Sequence, residues 1–235
     1  MTIKTQKSQL TILVTGGASG LGAAIVEALE LGMGHNVIVY DQKNGDRVEE
    51  PAEWLKDLDV DVLINCAGIN HNEWFEEVTH ESLSKVMLVN AFGPIYMTQA
   101  CLPALIRNKG TVINIVSNAA HIPMTSSLAY NMSKAALLMA TRQMAHELTN
   151  KHGITIFSIS PNKISGTEMS KQIEENVCKV RGWTPEYAAE YQRKALMHGL
   201  ESPPYEIAEF IANLIGCEGT GPMKYMSGTD IPFGK

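Results

Sequence analysis

The sequence predicts an α/β fold of three layers, a doubly wound parallel sheet with helices on both faces, forming a single domain over 1–235. Three observations predict it. Short β-branched runs alternate with longer segments of helical period, the order that gives parallel strands joined by right-handed crossovers. Each run is continuously apolar, as strands covered on both faces are. The chain has 235 residues, 45% of them hydrophobic, and no repeat, low-complexity tract or linker breaks it, which suits one large core.

The elements follow in order. "TILVT" (11–15) opens the sheet, and a helical segment covers Leu21–Leu31. "NVIVY" (36–40) and "DVLIN" (61–65) are the next strands, rich in the Val and Ile that fit a pleated surface. Only 19 residues, 42–60, join these two, too few for two full helical crossovers. That stretch is expected to hold a turn at Asn44–Gly45, a short edge strand near Arg47–Glu49 in either direction, and one short helix around Pro51–Asp57. Then come a helix over Phe92–Arg107, the strand "TVINIV" (111–116), a helix over Ala129–Asn150 and the strand "ITIFSIS" (154–160). Residues 165–202 read as two amphipathic helices, Glu168–Val180 and Pro185–His198, ahead of the helix "PPYEIAEFIANLI".

Composition excludes several functions. A net charge of -6 and a pI near 5.7 offer no basic field to draw in nucleic acid or an anionic membrane. Cys66, Cys101, Cys178 and Cys217 are scattered, and neither they nor the seven histidines show a ligand spacing. No metal site is therefore expected, and a reduced, cytoplasmic setting is. "MTIKTQKSQL" carries no apolar stretch before a cleavage site, and no run of about 18 apolar residues exists, so neither a signal peptide nor a membrane span is expected.

"TGGASGLG" (15–22) follows the first strand and runs into a helix. Gly16, Gly20 and Gly22 permit a tight turn and let the backbone approach a pyrophosphate, which the helix N-terminus then faces with free N–H groups and a positive dipole end. This predicts a Rossmann-type dinucleotide site. Asp41 closes the second strand, 19 residues after Gly22, where an acid accepts from the adenine ribose hydroxyls or, alternatively, caps a turn. It would repel the extra phosphate of NADP, and Ser19 supplies no cation for it; the expected cofactor is NAD.

Five further pieces stand in order behind this loop: "NCAG" (65–68), Asn90 in "LVNAFG", Ser117 in "INIVS", "YNMSK" (130–134) and "PNKISGTEM" (161–169). With them the chain resembles the single-domain main group of the short-chain dehydrogenase/reductase family, from Thr11 to the C-terminal "SGTDIPFG". The resemblance implies a catalytic set of Asn90, Ser117, Tyr130 and Lys134. It implies that Thr15, Gly16, Ser19, Gly20, Leu21, Gly22 and Asp41 hold the adenosine and pyrophosphate side of the cofactor. Asn65, Ala67 and Gly68 flank them, and Pro161, Ile164 and Thr167 meet the nicotinamide end with Tyr130 and Lys134. Three departures stand out. Cys66 replaces an Asn in a motif that supports the sheet near the adenosine half. Asn162 replaces a Gly and sets a polar side chain beside the nicotinamide pocket, for cofactor or substrate. The trimmed 42–60 region leaves Glu49 or Glu50 as the nearest adenine-contacting acid.

The chemistry follows from residue types. Tyr130 and Lys134 stand at i and i+4 of one helix and share a face, and Ser117 ends a strand at the crevice of an open sheet. Tyr130 is the expected acid/base for a secondary alcohol or ketone. Its reference pKa of about 10 needs lowering by about three units, roughly 4 kcal/mol, and a charge about 4 Å away at an effective dielectric of 20 supplies that. Lys134, which would also bind the nicotinamide ribose, is the expected source, assisted by the oxidised ring. Ser117, with Asn118 and Asn162, is expected at the substrate, and Asn90 is expected to hold a water that links Lys134 to solvent. Residues 165–202, carrying Met169, Trp183, Tyr187 and Tyr191, are expected to form a mobile lid, with Asn118, His121 and Met124 across the pocket. Met139, Met144 and Leu148 exceed one core-facing stripe, and family members commonly pair these helices; a homotetramer is expected. Two other readings stay open: a carbonyl reductase, of NADP type or running toward the alcohol, and a non-catalytic NAD(H)-sensing or scaffold protein.

Overall fold

The computed structural model describes residues 9–196, 199–216 and 225–234. Six strands form one sheet: β1 (Thr11–Thr15), β2 (Asn36–Tyr40), β3 (Val62–Asn65), β4 (Thr111–Ile115), β5 (Thr155–Pro161) and β6 (Asp230–Phe233). Their spatial order is β2-β1-β3-β4-β5-β6, and every pairing is parallel. The order reverses at β1, which lies between β2 and β3; in an open α/β sheet this switch point opens the ligand crevice beyond the strand carboxyl ends.

Strand alternation sorts the side chains into two cores. Ile12, Val14, Ile64, Ile113, Phe157 and Ile159 face one side, where they meet Ile25 of α1 (Gly20–Glu27) and Ile207, Ile211 and Ile215 of α7 (Pro204–Gly216). Leu13, Leu63, Val112 and Ile156 face the other, against Met97, Cys101 and Leu105 of α3 (Gly93–Asn108) and Ala145 of α4 (Leu128–His152). The layers are thus helix, sheet, helix. A short α2 (His80–Met87) leads through a π-helical turn, Leu88–Phe92, into α3. Beyond β5 lie α5 (Glu168–Arg181) and α6 (Pro185–Ala195). The expected end of the latter helix at 197–198 lies outside the described residues.

Two expectations are corrected. No strand forms near Arg47–Glu49, where the chain turns. Gly45 reverses the backbone at φ 88, Asp46 N donates to Asp41 O, and Val48 is buried against Gly93, where a Cβ would meet its Cγ2 at 2.7 Å. The Tyr40 hydroxyl pins both ends of the segment, donating to Arg47 O and accepting from Ala52 N. These residues act as a plug over α3, followed by a 3-10 turn at Glu53–Lys56. Second, Met144 and Leu148 pack against the core, and of the three apolar residues named on α4 Met139 alone is exposed, at 60%.

Candidate active site

The glycine loop follows β1, and each of its three motif glycines has a separate physical reason. Gly16 has a left-handed φ of 70, and a Cβ there would lie 2.7 Å from Ala67 Cα. A Cβ on Gly22 would lie 2.1 Å from Gly16 O, so the loop closes onto α1 only with glycine there. Gly20, φ 54, opens α1 beneath Thr167, whose Cγ2 would stand 3.5 Å from a Cβ. Thr15 is buried, and its Oγ1 accepts from both Cys66 N and Ala67 N at 3.1 Å, stitching β1 to the turn after β3. Asp41 accepts from Ala18 N at 3.0 Å and from Lys43 N at 2.9 Å, so its carboxylate braces the glycine loop and caps the turn after β2. Ser19, Leu21, Ala67 and Gly68 line the same cavity, as does Glu49, which also pairs with Arg47 at 2.9 Å. This cradle, which side chains at Gly16 and Gly22 would fill, fits a dinucleotide.

The opposite wall of the cavity, which has a volume of about 800 Å³, holds Ser117, Asn118, Tyr130 and Lys134. Ser117 lies two residues beyond β4; its Oγ accepts from Ala119 N at 3.1 Å, and its hydroxyl stands close enough to the Tyr130 phenol to favour the phenolate. Tyr130 and Lys134 rise from the first two turns of α4, the Lys134 Nζ standing 5.8 Å from the phenol ring centroid and donating to Ile115 O at 2.9 Å. Asn90 sits in the π-helical turn and is fully buried. Its Oδ1 accepts from Ile69 N, and its Nδ2 donates to Ile69 O and Ser133 Oγ. Ser133 Oγ in turn donates to Tyr130 O, so Asn90 braces the helix turn that carries the phenol. A Cβ on Gly68 would stand 3.4 Å from Asn90 Oδ1 and 3.8 Å from Lys134 Nζ; glycine leaves that gap open.

Burial governs the electrostatics. It pushes Lys134 down to about 8, with Cys66 pulling the other way. It raises the phenol of Tyr130, the Ser117 hydrogen bond opposing and Cys66 adding slightly. The phenol therefore stands above its ordinary value, not below it as its spacing from Lys134 leads one to expect: desolvation is the largest influence on it, and the ammonium donates to Ile115 O. Burial likewise raises Cys66 to about 12, with Lys134 and Asp41 as smaller influences. Cys66 is thus an electrostatic neighbour of Lys134, a role that sequence reasoning missed.

Pro161, Asn162, Ile164 and Thr167 also line the cavity. Thr167 caps α5, accepting from Ser170 N at 3.1 Å, and Ile164 bridges to Ser202. The Asn162 amide is engaged within the protein: Nδ2 donates to Gly234 O at 2.6 Å and to Leu200 O at 3.4 Å, and Oδ1 accepts from Ser202 Oγ at 2.7 Å. It buckles β5 to the C-terminal strand and the 199–202 loop. His121 turns away from the cavity lining and meets Asp230 Oδ2 at 2.9 Å, whereas Met124, Met169 and Tyr191 line the cavity. Residues missed include Asn70 on the cavity wall, whose Oδ1 is buried without a donor, as is Asn118 Oδ1. Lys163 and Arg181, which tie down α5 and α6, were missed too; their hydrogen-bond partners are 11 to 56 residues away, and no local pattern marks them.

Comparison with known proteins decides the family. The family described as short chain dehydrogenase matches residues 52–177, more than half of the chain. The chain belongs to the short-chain dehydrogenase family. This dehydrogenase is 27% identical over 259 residues to the sorbitol-6-phosphate 2-dehydrogenase of Klebsiella pneumoniae, with 95% of each chain covered. It is 32% identical over 193 residues to the NADP-dependent 3-hydroxy acid dehydrogenase YdfG of Salmonella typhi, covering 68% of this chain and 75% of that one. Among solved structures, a 4-hydroxyisoleucine dehydrogenase complexed with NADH superposes with a TM-score of 0.79 at 23% identity, covering 96% and 97% of the two chains. The chain is therefore an oxidoreductase of a family that works with a nicotinamide cofactor on small molecules. No helix among the described residues is long and apolar enough to cross a membrane.

Proposed function

We propose that the chain is an NAD(H)-dependent oxidoreductase that interconverts a secondary alcohol and a ketone, with Tyr130 as the acid/base. One observation carries this reading: Ser117, Tyr130 and Lys134 share a cavity with the glycine loop. When bound, the nicotinamide exchanges a hydride with the substrate carbon. Ser117 holds the substrate oxygen beside the phenol, and Tyr130 gives a proton to that oxygen or takes one from it. Lys134, with a pKa near 8, is mostly an ammonium at neutrality and is placed to bind a ribose hydroxyl. A water held by Asn90 and Lys134, beside the bare backbone of Gly68, would carry the proton onward. Asp41 supports NAD, since its carboxylate repels a ribose phosphate.

The raised phenol favours a second reading of direction. A raised pKa disfavours the phenolate that would take a proton from an alcohol, so the protonated phenol suits reduction of a ketone better than oxidation of the alcohol. Residues 165–202 serve as the lid in a single-domain enzyme, and α3 and α4, exposing Tyr96 at 37% and Met139 at 60%, pair into a homotetramer. The free thiols Cys66, Cys101 and Cys178 agree with a cytoplasmic setting. The test is a screen of alcohols with NAD and NADP, and of ketones with the reduced forms, followed by absorbance of the reduced nicotinamide. Turnover that prefers NAD and disappears in Tyr130→Phe is expected; a clear preference for NADP removes the assignment of Asp41.

A further inference from the structure

Two cations beside the substrate end of the cavity differ in their partners. Lys163 is neutralised, with Glu174 at 2.7 Å and Glu201 at 2.6 Å. Arg181, the last residue of α5, lines the same cavity and meets no carboxylate among the described residues. Its Nε donates to Ser126 Oγ at 3.1 Å, its Nη2 donates to Thr125 O, and its guanidinium stacks 4.8 Å from the Trp183 ring. Burial lowers its pKa, with Tyr191 acting the other way. A guanidinium has five N–H donors; two are used to orient it, and its partners among the described residues are neutral. A half-buried cation held in this way favours an anion that comes with a ligand.

Position excludes the cofactor's own phosphates as that anion. Helix α5 starts at its cap Thr167, over Gly20, and its fourteen residues place Arg181 at the far end, about 21 Å away at 1.5 Å per residue. Its anchor, Ser126, instead lies in the turn just ahead of α4, four residues before Tyr130. We infer that Arg181 is a specificity-determining residue that binds an oxyanion, carboxylate or phosphate, carried by the substrate a few bonds from the reacting carbon. This rests on the oxidoreductase reading of the same cavity. The unpaired acceptors of Asn70 and Asn118 on the cavity wall suit a substrate that also carries hydroxyl groups.

Two measurements test it. The first compares kcat/KM for matched pairs, acetoacetate against methyl acetoacetate and glucitol 6-phosphate against glucitol, so that carboxylate and phosphate are separate arms. In at least one pair the anionic member is expected to lead by tenfold or more. That ratio should fall at least tenfold in Arg181→Gln and less in Arg181→Lys; taking it within each variant cancels any general effect on the lid. The second follows tryptophan fluorescence of the cofactor-loaded protein as malonate or inorganic phosphate is added, against chloride at equal ionic strength. A saturable change that Arg181→Gln abolishes is expected. Equal kcat/KM within both pairs, or a ratio and a fluorescence response that survive Arg181→Gln, overturns the inference. Anion binding without turnover of any alcohol or ketone would instead overturn the oxidoreductase reading.

Discussion

Replacing Lys134 by Met should separate stability from activity, and the pH dependence gives the size. In the folded chain the ammonium titrates at about 8, against 10.5 as its ordinary value. A folded-state pKa below the unfolded one means that the buried charge opposes folding below both values, and that the penalty is relieved as pH rises through about 8. At pH 7 the lowered pKa corresponds to about 3 kcal/mol against the folded state, and at pH 9.5 to about 1 kcal/mol. The wild-type chain should therefore gain about 2 kcal/mol relative to Lys134→Met between these pH values. This difference does not depend on packing of the methionine or on loss of the 2.9 Å bond to Ile115 O, both of which are present at each pH. Urea unfolding of the two proteins from pH 6.5 to 9.5 measures it, with turnover recorded alongside and expected to fall by at least a hundredfold. Parallel stability curves, with no narrowing as pH rises, would refute the reasoning that Lys134 is held as a strained cation.

Three further outcomes are expected. Tyr130→Phe removes the proton donor and keeps the ring, so cofactor affinity by fluorescence titration should change less than threefold while kcat falls more than a thousandfold; normal turnover would end the acid/base assignment. Gly68→Ala puts a methyl group 3.4 Å from Asn90 Oδ1 and 3.8 Å from Lys134 Nζ without a clash; thermal stability should hold within about 1 kcal/mol, while kcat drops about tenfold if a water there carries the proton. Asn162→Leu strips the polar partners from Gly234 O, Leu200 O and Ser202 Oγ, at about 2–4 kcal/mol, read as a lower denaturation midpoint; an unchanged midpoint would show that the buckle is dispensable.

What the sequence disclosed follows from the range of each signal. The runs at 11–15 and 36–40 coincide with β1 and β2, and the other three expected strands fall within a residue or so of β3, β4 and β5, because burial on both faces leaves an unbroken apolar string. β6 escaped because "DIPF" is four residues long and contains Asp and Pro; it is a strand by its pairing with Ser158–Pro161. α2 escaped because its helix rests on the capping exchange between Thr79 and Ser82 with Val86 as its buried residue, too little for a periodic pattern. The turn at Asn44–Gly45 forms as expected, but the Arg47–Glu49 strand failed because the burial of Val48 against Gly93 is a tertiary choice. Tyr130 and Lys134 were legible because one helix sets their spacing. Arg181 was not, since its anchors at Thr125 and Ser126 lie more than fifty residues away.

Asp41 shows how a structural and a functional reading can hold together. Its two oxygens accept from Ala18 N and Lys43 N, which by itself describes a cap. An ionised carboxylate offers about four acceptor positions, so two remain, and the backbone bonds fix the plane in which they point, beside the glycine loop. The cap thus prepares the acid for a ribose diol. Asp41→Asn tests both halves together: it removes the charge and turns an NH2 group toward one of the two backbone donors. The ratio of kcat/KM for NAD over NADP should fall at least tenfold, about 1.4 kcal/mol, with a smaller loss of thermal stability. A lower stability with an unchanged ratio would leave Asp41 as a cap alone and return the choice of cofactor to Lys43, whose ammonium reaches Ala18 O from the cavity wall at 3.4 Å.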